Sequence, residues 1–239
     1  MNKIIIHIGA RKNSKGIKNK NIKKINGKPL IQYSINHANS IKSKNIIVVS
    51  SDSKKILKIS KKLKVDIQIL RPASLANSRT SKFSVWKHSV NFLMRNNYMD
   101  KEDIFLDLDC TCPVRNIKDI NLIIKKFKML KKNKKTFDGI FTIAKARKNP
   151  YFNLVEYGKN KFLHLSKKSD RKIFTRQSCP KVFEHIASIY CLKPEFILKK
   201  DSFMKGNLLG HEIEYSSGWD IDDKFDYEVV KYILKNKNG

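Results

Sequence analysis

The chain has 239 residues, of which 51 are Lys or Arg and 21 are Asp or Glu, so its formal net charge at pH 7 is +30. A chain of this length can bury one sizeable core, as one large domain or as a domain with a small appendage. It has no apolar run of about 18 residues, which excludes a transmembrane helix. No cleavage-site pattern follows its first residues, so we expect no signal peptide and no membrane insertion.

The strong positive charge suggests a nucleic-acid-binding protein, but its distribution argues against one. Most basic residues are Lys, and they are dispersed over predicted helix faces such as 54–55 and 125–126, where they favour solubility. The sequence contains no zinc-finger, RNA-recognition or basic-zipper motif. We therefore expect no specific nucleic-acid partner, whereas a small anionic substrate is compatible with the charge.

Strand-like and helix-like runs alternate along most of the chain. In chain order the predicted elements are strand Ile4–Ile8, helix Leu30–Ile41, strand Asn45–Ser50, helix Ser53–Leu63, strand Asp66–Leu70, helix Lys82–Asn96, strand Ile104–Asp109, helix Ile117–Lys132 with Asn116 as N-cap and Asp119 completing a capping box, and strand Gly139–Ala144. This alternation is typical of a mostly parallel sheet covered by helices, a Rossmann-like α/β fold.

The alternation breaks between about residues 147 and 180. Two short runs, Asn153–Glu156 and Lys161–His164, predict a hairpin around Gly158, and the stretch that follows is polar and loop-like. We interpret residues 1–239 as a single domain with an insertion at about 147–180. The predicted elements after the insertion are strand Ala187–Cys191, strand His211–Tyr215 and helix Phe225–Leu234.

The four cysteines bear on the cellular compartment. Cys110, Cys112, Cys179 and Cys191 show no zinc-ligand spacing, and the geometry of a Cys-x-Cys pair disfavours a disulfide. Reduced thiols are typical of cytoplasmic proteins. We therefore expect a cytoplasmic location.

The first strand runs into a loop that contains Arg11, Lys15, Gly16 and Lys20. Open α/β sheets hold phosphate groups at such a place, because backbone N–H groups and cations converge at the carboxyl edge of the strand. A loop with this many cations suits a triphosphate. The alternative is a solvated basic turn without a ligand.

Aspartates near the chain's end indicate a metal site. Trp219-Asp220-Ile221-Asp222-Asp223 follows a predicted strand, and alternation places Asp220 and Asp222 on one side of an extended segment. Paired carboxylates are a hard-oxygen site for Mg²⁺, and Asp109 at another strand end can also ligate a divalent metal. The alternatives are an acidic helix N-cap for the pair and a capped turn for Asp109.

Five ordered motifs resemble the acylneuraminate cytidylyltransferases, the CMP-sialic acid synthetases and their relatives that act on legionaminic or pseudaminic acid. The motifs are Ala-Arg-x-x-Ser-Lys-Gly-Ile-x-x-Lys-Asn from Ala10 to Asn21, Arg-Pro-x-x-Leu-Ala from Arg71, Thr-x-Pro-x-Arg from Thr111 to Arg115, Arg176-Gln177, and Asp220-x-Asp222. They span nearly the whole chain.

The resemblance implies a glycosyltransferase-A-like fold and a homodimer in which the insertion packs on the partner subunit. It implies a reaction in which CTP and a sialic-acid-like sugar acid give a CMP-sugar and pyrophosphate, with Mg²⁺ or Mn²⁺ as cofactor. Such an enzyme supplies surface glycan biosynthesis. The anomeric hydroxyl would attack the α-phosphate, and either Asp109 or a metal-bound hydroxide would take its proton.

The same resemblance assigns roles to individual residues. The implied catalytic residues are Arg11, Lys20 and Asp109. The implied nucleotide-binding residues are Ala10, Arg11, Ser14, Lys15, Gly16, Asn21, Arg71, Ser81 and Thr111. The implied sugar-binding residues are Arg115, Arg176, Gln177 and Tyr190. The implied metal ligands are Asp109, Asp220 and Asp222.

Three positions depart from the family pattern. Asp109 stands where Gln is common, Glu184 where some sialate enzymes have an Arg toward the sugar, and Ile186 where Asn is usual. The cation for the sugar's C1 carboxylate would then be Arg176, with Arg171 or Lys172. The apolar Ile186 favours a deoxy or acetamido edge, so we expect a legionaminic- or pseudaminic-type acid to be preferred to N-acetylneuraminic acid.

Two alternative functions stay open from the sequence. One is a nucleotidyltransferase that uses a Kdo-like acid or a different nucleotide; the loop's Gly-Ile-x-x-Lys-Asn ending argues against Kdo. The other is a non-catalytic basic binding protein. The presence of Arg11 and Lys20 together with Asp220 and Asp222 argues against that second alternative.

Overall fold

The computed structural model describes residues 2–14, 16–77 and 79–236. Its strands are β1 (Ile4–Gly9), β2 (Lys24–Ile25), β3 (Lys28–Pro29), β4 (Asn45–Ser51), β5 (Ile67–Leu70), β6 (Ile104–Leu108), β7 (Gly139–Lys145), β8 (Val155–Tyr157), β9 (Leu163–Leu165), β10 (Phe183–Leu192) and β11 (Leu208–Glu212). Its helices are α1 (Leu30–Asn39), α2 (Lys54–Lys61), α3 (Lys82–Arg95), α4 (Ile117–Lys132), α5 (Pro194–Lys199) and α6 (Lys224–Asn236).

The central sheet has seven strands in the order β11-β7-β10-β6-β1-β4-β5. Strands β6, β1, β4 and β5 pair in parallel, β11 pairs in parallel with β7, and β10 runs antiparallel between β6 and β7. The predicted mostly parallel α/β fold is therefore confirmed. The parallel strands bring the residues after β1, β4 and β6 to one edge of the sheet, where open α/β sheets bind ligands.

Alternation along the strands divides the core between the two faces of the sheet. In β1, Ile4, Ile6 and Ile8 pack in one cluster with α1, α2 and α4, whereas Ile5 packs on the opposite face. That second cluster centres on Trp86 of α3, which is almost fully buried. Both faces are thus covered by helices, as a parallel sheet requires.

Most predicted elements match the structure within a few residues, and the exceptions have local causes. The last strand was predicted at His211–Tyr215 but lies at Leu208–Glu212, because it pairs with β7 from Leu208 opposite Gly139, and Tyr215 begins a 3₁₀ turn. Asn116 does cap α4, accepting a hydrogen bond from the Lys118 backbone N–H at 2.9 Å. Asp119 does not complete the predicted box but lies 3.1 Å from His211 Nε2.

The segment between β7 and β10 contains its own two-stranded sheet, β8 paired antiparallel with β9, around Gly158 as predicted. Both strands are exposed along their whole length. The segment leaves and re-enters the sheet next to the pair Lys145–Phe183, at the edge where β6 also ends. No helix in the described parts of the chain has both the length and the apolar character needed to cross a bilayer.

Arg115 holds this edge of the sheet together from inside. Its side chain is buried, and its guanidinium donates to Ser34 Oγ of α1 at 2.9 Å, to the Ser188 carbonyl of β10 at 3.2 Å and to the Asp109 carbonyl after β6. Arg suits this position because its planar guanidinium carries several N–H donors in fixed directions, which no other side chain offers. The prediction that Arg115 binds the sugar does not fit this geometry, because its donors are engaged by the protein.

We expect Arg115→Met to destabilise the fold, because it removes buried hydrogen bonds that link α1, the segment after β6 and β10. A hydrogen bond to a charged group contributes about 1.5–3 kcal/mol, and urea unfolding should show a loss of at least that size. Arg95→Met, at an exposed position of α3, is the matched control and should change the free energy of unfolding little. Unchanged stability in Arg115→Met would contradict the structural role.

Candidate active site

A cleft of about 380 Å³ opens at the carboxyl ends of β1 and β6. Its walls come from four parts of the chain that are distant in sequence: the loop after β1, the segment after β5 with the start of α3, the end of β6, and the segment before α6. The lining residues are His7, Gly9, Arg11, Ser14, Lys20, Asn21, Arg71, Leu75, Asn77, Thr80, Lys82, Val85, Trp86, Asp107, Asp109, Thr111 and Asp222.

The basic loop after β1 forms one wall of the cleft. Arg11, Ser14, Lys20 and Asn21 all reach it, as predicted from the phosphate-loop pattern. Asn21 shapes the loop, because its Nδ2 donates to the Arg11 carbonyl at 2.8 Å. The predicted nucleotide contact Lys15 lies outside the described residues.

The start of the loop is anchored to the neighbouring strand β4. Ala10, another predicted nucleotide contact, is buried, and its N–H donates to the Ser50 carbonyl at 3.0 Å. The Lys12 N–H donates to Asp52 Oδ1 at 2.7 Å. Asp52 thus fixes the loop, while the next residue, Ser53, caps α2.

The same loop is tied to the segment before α6. Lys20 is buried; its ammonium donates to the Ile221 carbonyl and lies 3.5 Å from Asp222 Oδ1. Gly16 packs so closely on the Asp222 carbonyl that a Cβ atom would collide with it. Gly16 is therefore required here for close backbone approach.

Arg71 closes the opposite wall. Its side chain is buried, and Nη2 donates to the Ser50 carbonyl at 3.2 Å, while Nε has no hydrogen-bond partner among the described residues. Burial lowers the pKa of the guanidinium; Asp52 opposes this change and Arg11 adds to it. Because Arg71 lines the cleft, its positive charge suits an anionic ligand there.

Thr80 also lines the cleft, but the predicted nucleotide contact Ser81 does not. The Ser81 hydroxyl caps α3 by accepting from the Ser84 N–H at 3.0 Å.

Asp109, Asp220 and Asp222 lie near one another but have different surroundings. Asp109 Oδ1 accepts hydrogen bonds from the Thr111 N–H at 3.1 Å and the Thr111 hydroxyl at 3.0 Å, and Oδ2 is paired with Lys82. Burial raises the pKa of Asp220 to about 6, the Asp109 charge adds to the rise, and a hydrogen bond from Thr111 opposes it. Asp222 is open to the cleft, with 82% of its side chain exposed.

Asp220 and Asp222 fit a divalent cation. Asp220 Oδ1 is buried and has no hydrogen-bond partner in the described parts of the chain, which is costly for a carboxylate unless a cation binds it. No three His, Cys, Asp or Glu side chains of the described residues form a complete metal cage. Proteins usually hold Mg²⁺ with one or two carboxylates, and phosphate oxygens and water complete its coordination.

Asp109 does not fit the predicted role of metal ligand in this arrangement. One of its oxygens is occupied by Lys82 and the other by Thr111. Sequence reasoning missed Lys82, which reaches the cleft from the first turn of α3. The available signal was a lysine at the first position of a predicted helix, together with a second carboxylate, Asp107, in the strand that ends at Asp109.

Two predicted sugar-binding residues lie outside the cleft. Arg176 and Gln177 are exposed in a 3₁₀ turn of the insertion, where Arg176 Nη2 donates to the Arg147 carbonyl at 2.8 Å. Glu184 also contacts the base of the insertion, because its Oε1 accepts a hydrogen bond from the Arg147 N–H at 2.8 Å.

Two smaller cavities adjoin the cleft. One, of about 230 Å³, is bordered by Lys82, Trp86, His185, Phe203 and the predicted sugar contact Tyr190, which is itself buried. The Tyr190 hydroxyl lies 3.0 Å from His185 Nε2.

The other cavity, of about 250 Å³, is bordered by Ile186, Trp219, Asp220 and Asp222 among others. Ile186 therefore lies beside the predicted metal-binding pair.

Comparison with known proteins identifies the family of the chain. The chain matches the family model for cytidylyltransferases over residues 4–234. It is 37% identical to the post-translational flagellin modification protein B of Campylobacter coli, over 100% of this chain and 97% of that protein. It is 36% identical to the CMP-N,N'-diacetyllegionaminic acid synthase of Campylobacter jejuni, again over 100% of this chain and 97% of the relative.

The fold has a close match among solved structures. A CMP-2-keto-3-deoxy-manno-octonic acid synthetase complexed with CTP superposes with a TM-score of 0.72 at 15% sequence identity, covering 98% of this chain and 99% of that one. At this identity the likeness concerns the fold alone. The family model and the relatives matched over their full length show that the chain belongs to the cytidylyltransferase family.

Proposed function

We propose that this enzyme uses CTP to activate a nonulosonic sugar acid, giving a CMP-sugar and pyrophosphate, for the synthesis of a surface glycan. The observation that carries the proposal is the cleft itself, where Arg11, Lys20 and Arg71 surround one opening together with Asp222, which also borders the adjoining cavity that contains Asp220. The full-length similarity to a CMP-diacetyllegionaminic acid synthase supports the class of sugar.

The proposed chemistry is an in-line displacement at the α-phosphorus of CTP. The anomeric hydroxyl oxygen forms the new bond to phosphorus while its proton passes to a base, which in this proposal is the Asp109 carboxylate at the cleft, and the bond from phosphorus to the pyrophosphate oxygen breaks. Arg11 and Lys20 offset the negative charge that develops on the triphosphate, and Arg71 holds the nucleotide from the opposite wall. Catalysis of this kind consists mainly of positioning and charge stabilisation.

Mg²⁺ or Mn²⁺ is the proposed cofactor, with Asp220 and Asp222 as its protein ligands. When bound, the ion supplies Lewis-acid stabilisation of the phosphate charge. Lys20 places its own charge 3.5 Å from Asp222 Oδ1, so this carboxylate is oriented toward the basic loop. We also propose a cytoplasmic location, which is supported by four cysteines that are all free thiols, three of them buried.

The insertion is proposed to form a homodimer contact. Val155 and Tyr157 of β8 and Phe162, Leu163 and Phe174 nearby are more than half exposed. A two-stranded hairpin with exposed apolar side chains is marginally stable alone and is typical of an interaction surface. Arg176 and Gln177 lie on this segment, so in a dimer they could reach the partner's cleft.

We expect a dimer in sedimentation equilibrium, because burying these apolar groups favours association. The double variant Tyr157→Ser/Phe162→Ser should weaken the dimer, since both side chains are about three-quarters exposed and their loss costs the monomer little. Tyr232→Ser, at an exposed position of α6, is the control. A wild-type protein that sediments as a monomer at all concentrations would contradict this part of the proposal.

Pyrophosphate release is the direct test of the proposed activity. Each of CTP, UTP, ATP and GTP is incubated with Mg²⁺ and a panel of sugar acids: legionaminic, pseudaminic, N-acetylneuraminic and Kdo. We expect release with CTP and a legionaminic- or pseudaminic-type acid, because the apolar Ile186 borders the cavity beside the metal-binding pair.

Release with another nucleotide in preference to CTP would contradict the nucleotide assignment. A clear kcat/KM preference for N-acetylneuraminic acid would contradict the role given to Ile186. No release with any combination would favour a non-catalytic binding protein.

We expect Asp222→Asn to abolish turnover while leaving the melting temperature near that of the wild type. The substitution removes a metal-binding charge without changing shape, and 82% of the side chain is exposed. Asp223→Asn is the matched control, because the neighbouring carboxylate is exposed and does not line the cleft. Normal turnover in a folded Asp222→Asn enzyme would refute the metal assignment.

A further inference from the structure

Lys82 lies between two carboxylates at the end of the central strand. Its Nζ is 3.0 Å from Asp107 Oδ2 and is also paired with Asp109 Oδ2. Its ammonium lies 4.7 Å from the centre of the Tyr190 ring and 5.7 Å from that of Trp86. About a third of the side chain is exposed, on the side that lines the cleft.

The partner Asp107 is fixed from the core. It is fully buried, and its Oδ1 lies 2.6 Å from His7 Nδ1. The other ring nitrogen, His7 Nε2, lies 3.1 Å from Ser89 Oγ of α3. A continuous row of polar contacts therefore runs from α3 through His7 and Asp107 to Lys82 at the cleft.

The surroundings of Lys82 and Asp107 favour the charged form of each side chain. Burial alone would lower the pKa of the Lys82 ammonium, but Asp107 and Asp109 outweigh it and raise the pKa above its ordinary range. Burial alone would raise the pKa of Asp107, yet Lys82 and His7 bring it down to about 2. A buried carboxylate of this kind must keep its cation, because removing one partner of such a pair is strongly destabilising.

Carboxylates spaced two residues apart at a strand end, beside a phosphate-binding loop, are also the donor set that a divalent cation would use. We propose that the Lys82 ammonium is a resident cation of the active site, which occupies the place of a second divalent ion between Asp107 and Asp109. The enzyme then works with a single exchangeable metal, at Asp220 and Asp222. The assignment of that single metal to Asp220 and Asp222 rests on the proposed function. The statement that Lys82 keeps an ion away from Asp107 and Asp109 is independent of it.

Counting bound Mn²⁺ by electron paramagnetic resonance, with CTP present and sugar absent, tests the proposal. We expect one Mn²⁺ per chain in the wild type and one more in Lys82→Met, which keeps the apolar stem but removes the charge. Asp109→Asn in the otherwise wild-type protein should leave the count unchanged. The double variant Lys82→Met/Asp109→Asn should lose the extra ion.

Lys87→Met is the matched control, because Lys87 lies on the same helix and its Nζ donates to the Lys200 carbonyl. Its Mn²⁺ count should equal that of the wild type. An unchanged count in folded Lys82→Met would overturn the proposal. If Lys82→Met does not fold, the Mn²⁺ count of Asp109→Asn tests the proposal by itself. A count one ion below that of the wild type would overturn the proposal, because it would show that the wild type already binds a metal at Asp109.

The same titration separates this proposal from the proposed function. Asp222→Asn should remove the wild-type ion, and its failure to do so would count against the metal site of the proposed function. The difference in count between the wild type and Lys82→Met would still decide the role of Lys82.

Discussion

The contact between the first loop and the last extended segment is the constraint on which the site depends. Lys20 donates to the Ile221 carbonyl, and Gly16 packs against the Asp222 backbone, about two hundred residues further along the chain. Ile221 is fully buried, and Lys20 is buried with it. The contact places the cations of the loop opposite Asp220 and Asp222, so the walls of the cleft form only when both ends of the chain are folded on the sheet.

Buried cations stabilise the remaining walls, and each uses a different chemistry. Arg115 binds carbonyl and hydroxyl oxygens of three elements with its planar donors, whereas Lys82 neutralises Asp107 and Asp109 as a compact charge. Arg71 donates to the Ser50 carbonyl and lines the cleft with its charge. The edge of the sheet is thus made rigid by groups that are themselves charged, which is a preorganised environment for a charged substrate.

Much of the fold and part of the site could be predicted from the sequence, because they depend on local patterns. The apolar run of β1 and the helical repeats around it predict a parallel sheet, and Arg11, Ser14, Lys20 and Asn21 of the loop motif do line one wall. The roles of Arg115 and Lys82 could not be predicted, because they depend on partners in other elements: Ser34 and Ser188 for Arg115, Asp107 for Lys82. The edge strand at Leu208–Glu212 was displaced in the prediction because its pairing with β7 fixes its register.

Glu184 shows how a departure from a family pattern can be explained by structure. Its carboxylate accepts the Arg147 N–H, and Arg176 donates to the Arg147 carbonyl, so the backbone at Arg147 is held from both sides at the base of the insertion. A carboxylate here supports the position of the insertion relative to β10 without contacting the cleft. Ile186, two residues further along β10, does border a cavity beside Asp220. One of these two departures therefore concerns the backbone at the base of the insertion, and the other concerns the cavity beside Asp220.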